Sequence, residues 1–432
     1  MDKTKNRGFS KFLILCFGGF VATIGSGMTS FGLSVYVFEQ TGLAFSTTLI
    51  ALLAFLPGIL LSPLAGILAD RYDRRLMMIL GDGLSVIGLV YILICIWRGE
   101  PQLWQIGIGV TISSVFSSLV EPAFRATITD LLSEQEYTKA SGLVQISGSA
   151  RYLISPVIAG LLLAAFDIEL VLIIDICTIF ITVTTTFIAR KGIESRKKIE
   201  SKSIVKEFKT GWAVLTENKG VLILTVMGTL ISFFIAAIQS LSTPMSLSFI
   251  DSSTLGVAIT ICALGMLVSS LLLGFMPIKK GYVNILWISL FFAGMFMAVF
   301  GLRENVILLC VSGFLFFTML PFANTTLDYL IRTNVDNEVQ GRVWGLIGVI
   351  SQSGYLAAYV SLGLLADYVF VPLLVEGGAL AGSVGRIIGV GAGRGIGFLI
   401  IVAGLLLAVL AVVLGRIKAV RNLEKSPAKA KD

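Results

Sequence analysis

A helix needs about 20 apolar residues to cross the hydrocarbon of a bilayer, and this chain carries twelve nearly unbroken apolar blocks of that size. They run 12–38, 43–69, 76–97, 103–124, 140–166, 170–189, 221–250, 255–278, 282–302, 306–331, 343–370 and 395–415, each bounded by charge, Pro or Gly. A membrane barrel would instead show short alternating segments. The block Phe12 to Phe38 follows a basic start (Lys3, Lys5, Arg7, Lys11) but is too long for the apolar core of a cleaved signal, so it reads as span 1. With 56% hydrophobic and 14% charged residues, the chain lacks the polar surface to cover a water-soluble globule. The expected fold is an all-α integral membrane protein.

The formal charge of +7 does not imply nucleic acid, because the basic residues fall in short runs between apolar blocks. Those runs orient the chain. With the N-terminus inside, 28 of the 33 Lys and Arg lie in cytoplasmic segments, four outside (Arg98, Arg303, Arg386, Arg394) and Arg151 within a span. Both termini are therefore expected in the cytoplasm. The five cysteines sit inside apolar blocks without metal-type spacing, and the chain has no histidine, so any proton carrier must be a carboxylate.

The connection from Arg190 to Lys219 carries nine basic residues and separates six spans from six. It predicts an N-terminal six-helix bundle over 1–189, a cytoplasmic central loop over 190–219, and a C-terminal bundle with a basic tail over 220–432. Within the loop, Ile204, Phe208, Trp212 and Leu215 recur at helical spacing, which fits either an amphipathic surface helix or a partly ordered linker. A shift of 203 residues superposes Gly142 on Gly345, Tyr152 on Tyr355 and Gly160-Leu161-Leu162 on Gly363-Leu364-Leu365. Such a repeat is the basis of a transporter made of two pseudo-symmetric bundles.

Between spans 2 and 3 the sequence reads Gly66-Ile67-Leu68-Ala69-Asp70-Arg71-Tyr72-Asp73-Arg74-Arg75. This resembles the signature loop of the major facilitator superfamily, G-x-L-A-D-R-x-G-R-[KR], with Asp73 replacing the usual Gly. The replacement puts a turn of positive φ in question. Gly66 is expected to allow close helix packing, Asp70 to cap a neighbouring helix, and Arg71, Arg74 and Arg75 to pair with carboxylates or merely to anchor topology. The resemblance implies that Asp70 and Arg71 latch the two halves. More narrowly, the chain is similar to the macrolide-efflux and siderophore-exporter branch, through Phe38-Glu39-Gln40-Thr41-Gly42, Glu121-Pro122-Ala123-Phe124-Arg125, Gln340-Gly341-Arg342-Val343 and the Gly-rich loop from Glu376 to Gly397.

An ionisable residue inside a span needs a partner, a cavity or a task. Counting rise along the helices places Arg151 near mid-membrane, Asp175 in the outer part of span 6, and Glu121 and Asp328 toward the cytoplasmic ends of spans 4 and 10. Asp82 and Asp367 fall closer to the interfaces. Asp175 or Glu121 is expected to carry a coupling proton with Arg151 tuning it. The alternatives are a purely structural ion pair of Arg151 with either carboxylate, and gating networks of Glu121 and Asp328 with Arg125 and Arg332. Gly142, Pro156 and Gly160 on span 5 fit plain helix packing, or a loosened form of the Gly and Pro pattern that the resemblance associates with antiporters.

No nucleotide-cradling loop, metal-ligand set or nucleophile with a base is present, so neither an enzyme nor a cofactor is expected. The expectation is a monomeric, proton-driven exporter of small amphipathic compounds such as macrolides, in a bacterial inner membrane. Other cargo (siderophore, peptide, lipid), uptake, or a non-transporting sensor remain as alternatives.

Overall fold

The structure, a computed structural model, describes residues 2–133, 136–190, 204–276 and 278–425. Among these residues there is no β-strand. Twelve helices are long and apolar enough to cross a membrane, one for each predicted block: Gly8–Thr41, Ala44–Ala69, Arg74–Trp97, Leu103–Leu131, Lys139–Ala165, Ile168–Arg190, Lys219–Ser246, Ser252–Phe275, Tyr282–Phe300, Val306–Arg332, Val339–Leu374 and Ala392–Arg416, here spans 1 to 12.

Three spans depart from continuous α-helix. Span 4 breaks between Leu103–Ser117 and Val120–Leu131. Span 5 breaks at Ile154, because Pro156 opens the following helix Ser155–Ala165 and cannot donate a helical hydrogen bond. Span 11 passes through a π-helical turn at Ala366–Phe370. Several hydroxyls of the spans are satisfied within their own helix. Thr127 donates to the Ala123 carbonyl at 2.7 Å, Thr225 to Val221 at 3.0 Å and Ser312 to Leu308 at 2.6 Å, which hides each hydroxyl against its own helix. Large apolar side chains such as Phe275 and Ile307 stand exposed, as lipid-facing positions do, and Trp97 and Trp104 stand exposed at span ends, where indoles favour the interface.

The chain divides into two compact units. The first comprises Met1–Gly42, Leu49–Ser201 and Asp251–Val257; the second comprises Leu43–Thr48, Lys202–Ile250 and Ala258–Asp432. In the first, span 1 packs along span 6, and span 3 lies against spans 4 and 6. In the second, span 9 lies between spans 10 and 12, and span 7 packs on span 11. Small residues bring the closest pair together: a Cβ on Gly294 of span 9 would lie 2.5 Å from the Gly404 carbonyl oxygen of span 12, and one on Gly404 would lie 2.5 Å from the Gly294 carbonyl oxygen.

The segment Ile204–Glu217, which the sequence left open between surface helix and linker, is a helix that packs on span 11. Leu215 is fully buried and Trp212 half-exposed, whereas the side chains of Ile204 and Phe208 lie outside the described set. Residues 191–203 of the basic connection also lie outside it.

Candidate functional site

The signature loop is built around the start of span 3. Asp73 sits in extended backbone, φ −63° and ψ 111°, and its carboxylate accepts from the backbone N–H groups of Arg75 at 3.0 Å and Leu76 at 3.3 Å. The replacement of Gly by Asp thus needs no left-handed turn here, and Asp73 becomes a helix cap. Its other oxygen pairs with Arg190 at 3.0 Å, at the end of span 6.

Arg74 donates to the Ala126 carbonyl at 2.8 Å and pairs with Asp130 at 2.9 Å. Arg75 is 2% exposed, and its Nη2 lies 3.6 Å from the other Asp130 oxygen. Its Nε and Nη2 have no hydrogen-bond partner among the described residues. Asp130, in the lower half of span 4, therefore neutralises two guanidiniums, a role that sequence reading missed because nothing in the loop pattern points to it. Arg71 is exposed, and the side chain of Asp70 lies outside the described set, so the expected cap by Asp70 concerns an undescribed group. Gly66 meets no neighbour within 4 Å of where a Cβ would stand among the described residues.

Deeper in the first unit, span 6 turns a polar stripe inward. Asp175, Thr178 and Thr182 are all buried on the face that meets span 1. Thr29 donates to Asp175 Oδ2 at 2.6 Å, while Thr178 Oγ1 reaches the Asp175 carbonyl at 2.8 Å and Oδ1 at 3.3 Å. Thr182 donates to the Gly18 carbonyl at 3.0 Å. No ion pair to Asp175 occurs among the described residues. The weighed Arg151 bridge is absent: Arg151 is exposed, and its Nη2 donates to Ser30 at 3.0 Å.

Glu121 pairs with Arg125 at 2.7 Å and Asp328 with Arg332 at 2.7 Å, each one helical turn apart and mostly exposed. Arg332 also stands 5.4 Å over the Trp344 ring. Neither carboxylate is enclosed, so burial marks Asp175 out from both. On span 5, a Cβ at Gly160 would come 2.5 Å from the Ser252 carbonyl oxygen, whereas Gly142 meets no neighbour within 4 Å among the described residues. In the second unit, the carboxylate of Glu424, in the tail helix Lys418–Lys425, accepts from the N–H groups of Gly281 at 2.6 Å, Tyr282 at 3.0 Å and Val283 at 3.3 Å. No sequence signal marks that contact.

The chain matches the profile of the Major Facilitator Superfamily over residues 15–359. It is 27% identical over 372 residues to Macrolide efflux protein A of Streptococcus pyogenes, spanning 84% of this chain and 90% of that one. It is 23% identical over 340 residues to a Staphyloferrin A transporter of Staphylococcus aureus, spanning 76% of this chain and 83% of that one. Among solved structures, a bacterial homolog of the human lysosomal transporter Spinster shares the fold at a TM-score of 0.74 and 12% identity, with 100% of each chain covered. A profile match over most of the length, with twelve spans arranged as in solved transporters, identifies this chain as a member of the Major Facilitator Superfamily, a multi-pass membrane transporter and not an enzyme.

Proposed function

We propose that the chain is a proton-coupled exporter of amphipathic compounds of macrolide type, working by alternating access in a bacterial cell membrane with both termini in the cytoplasm. The observation that carries the coupling is Asp175: a carboxyl 3% exposed inside a span, bonded to two threonine hydroxyls and without a cationic partner among the described residues. Ionised and sealed from water, such a group is costly, and binding a proton removes the cost. A site that accepts a proton when closed and releases it when hydrated couples conformation to a gradient. The cargo class rests on the likeness to Macrolide efflux protein A over most of both chains. Arg151, exposed beside Ser30, offers a polar contact to an amphipathic substrate. Asp70 and Arg71 act as the conformational latch.

Accumulation of a labelled macrolide in inverted vesicles tests this reading, with the proton gradient intact and collapsed. The expected result is accumulation that needs the gradient and is abolished in Asp175→Asn. Accumulation that survives the collapse, or a fully active Asp175→Asn protein, rejects the coupling assignment. A well-expressed protein that moves no macrolide rejects the cargo, and siderophores come next because one relative is named for staphyloferrin A.

A further inference from the structure

The polar stripe on span 6 continues past Asp175 and Thr182 to Thr186, which is 1% exposed and whose Oγ1 finds no hydrogen-bond partner among the described residues. A second orphan lies on span 3, about two helical turns from its start. Asp82 is partly exposed as a residue, yet its Oδ2 is sealed from solvent and likewise without a partner. The two helices pack together, and a Cβ on Gly83 would lie 4.0 Å from Val183, which sets Asp82 level with Thr182. Measured from the ends where Arg74 and Arg190 stand, helix rise puts Thr186 at about 6 Å depth, Asp82 and Thr182 at about 12 Å, Thr178 at about 18 Å and Asp175 at about 22 Å. Buried polar atoms are paired in nearly all cases, so two orphans at the shallow half of one hydroxyl stripe need an explanation that packing does not give.

The charged groups on the elements around Asp82 are few. Arg74, Arg75, Asp73, Asp130 and Arg190 are tied to one another at the start of span 3, and Glu121 and Arg125 pair at the exposed face of span 4. Asp175 is the carboxylate deeper on span 6, and the guanidinium of Arg151 is bonded to Ser30.

We propose that Asp82, with the inward face of span 6 from Thr186 to Asp175, forms a proton path through the first unit, with Asp82 as the relay between the cytoplasmic end and Asp175. In the transfer step, the Asp175 carboxylic acid gives its O–H proton along the Thr178 and Thr182 hydroxyls and a water molecule in the seam, and the Asp82 carboxylate takes one up. Asp82 then releases a proton to the cytoplasmic side, and Asp175, left ionised, is reloaded from the outer side. Charge balances over the cycle, and the proton runs inward, opposite to the exported cargo. This inference rests on the proton-coupled reading above and adds the route.

The test uses the full-length protein in phospholipid liposomes, with two readouts. Infrared difference spectra between acidic and basic buffer report protonated carboxyls without any substrate. Transport of a labelled macrolide is measured both under a proton gradient and as gradient-free exchange, which needs no net proton movement. For Asp82→Asn we expect one carboxyl band to disappear and gradient-driven transport to fall by about tenfold or more, with exchange at the wild-type rate. Asp82→Glu is expected to restore both, and Thr186→Val to slow gradient-driven transport alone. An unchanged infrared spectrum in Asp82→Asn, or wild-type gradient-driven transport in that variant, overturns the relay. So does a wild-type protein driven by sodium instead of protons. Should Asp82→Asn fail to fold, Asp82→Glu and Thr186→Val carry the same comparison. A wild-type protein that moves no macrolide defeats the cargo assignment, while the infrared band still decides the role of Asp82.

Discussion

The loop between spans 2 and 3 and the loop between spans 8 and 9 each open the third helix of a six-helix half. A helix start exposes N–H groups that need acceptors. In the first unit the acceptor is Asp73, the residue immediately before the helix. In the second unit that place is taken by Gly281 at φ 76°, and the acceptor arrives from Glu424 in the tail helix, which satisfies three N–H groups in a row. Tyr282 then stacks on Tyr329 with ring centroids 3.6 Å apart, so an aromatic contact stands where the first unit has charges. Closing a helix end therefore does not require arginines. The Arg74, Arg75 and Asp130 cluster exceeds what capping needs, and a guanidinium buried at 2% exposure is expensive enough to imply a separate task. The proposed latch would place that task in the loop of the first unit.

The comparison can be broken most directly at Asp130. Asp130→Ala takes the carboxylate from two guanidiniums, one of them buried, and is expected to cost about 3–5 kcal/mol, read as a large drop in the thermal half-life of detergent-purified protein. A loss no greater than that of the tail variant would remove the distinction between the loops. Glu424→Ala leaves three N–H groups without their carboxylate, with an expected cost of about 1–2 kcal/mol and little effect on transport at moderate temperature. Asp73→Gly sharpens the picture further. Glycine restores the superfamily residue and caps almost as well, while the half-exposed pair with Arg190 disappears, so the loss should stay below about 1 kcal/mol. Glu121→Gln and Asp328→Asn remove exposed pairs and should each change stability by less than about 0.5 kcal/mol. Proton-coupled transport at the wild-type level in Glu121→Gln is the accompanying expectation.

The spans were legible because a bilayer sets a length requirement that sequence displays directly, and the loop motif carried the superfamily. The candidate site was legible only in part, because span hydropathy gives depth but not direction. Asp175 stood out as a charge inside the outer part of its span. Asp82 did not, since it was placed closer to an interface, and only the fold shows that its Oδ2 is sealed. Arg151 was weighed as a partner of Asp175 because both are charges inside spans; in the folded unit Ser30 takes the guanidinium. Glu424 was invisible because its partners lie about 140 residues earlier in the chain and are bare backbone groups, which no side-chain pattern encodes.

The backbone contact between spans 9 and 12 has a mechanical side. Side chains can switch rotamer and let two helices slide or swing, but at Gly294 and Gly404 there is no side chain to adjust, and each helix rests on the other's carbonyl groups. Gly301 and Gly397 repeat the arrangement nearer the helix ends, where a Cβ on Gly397 would stand 2.7 Å from the Gly301 oxygen. Two separated points of contact without play fix both the spacing and the angle of the pair. Spans 9 and 12 are in this sense a beam, and bending that the transport cycle demands of the second unit has to be found elsewhere, for instance at the π turn of span 11.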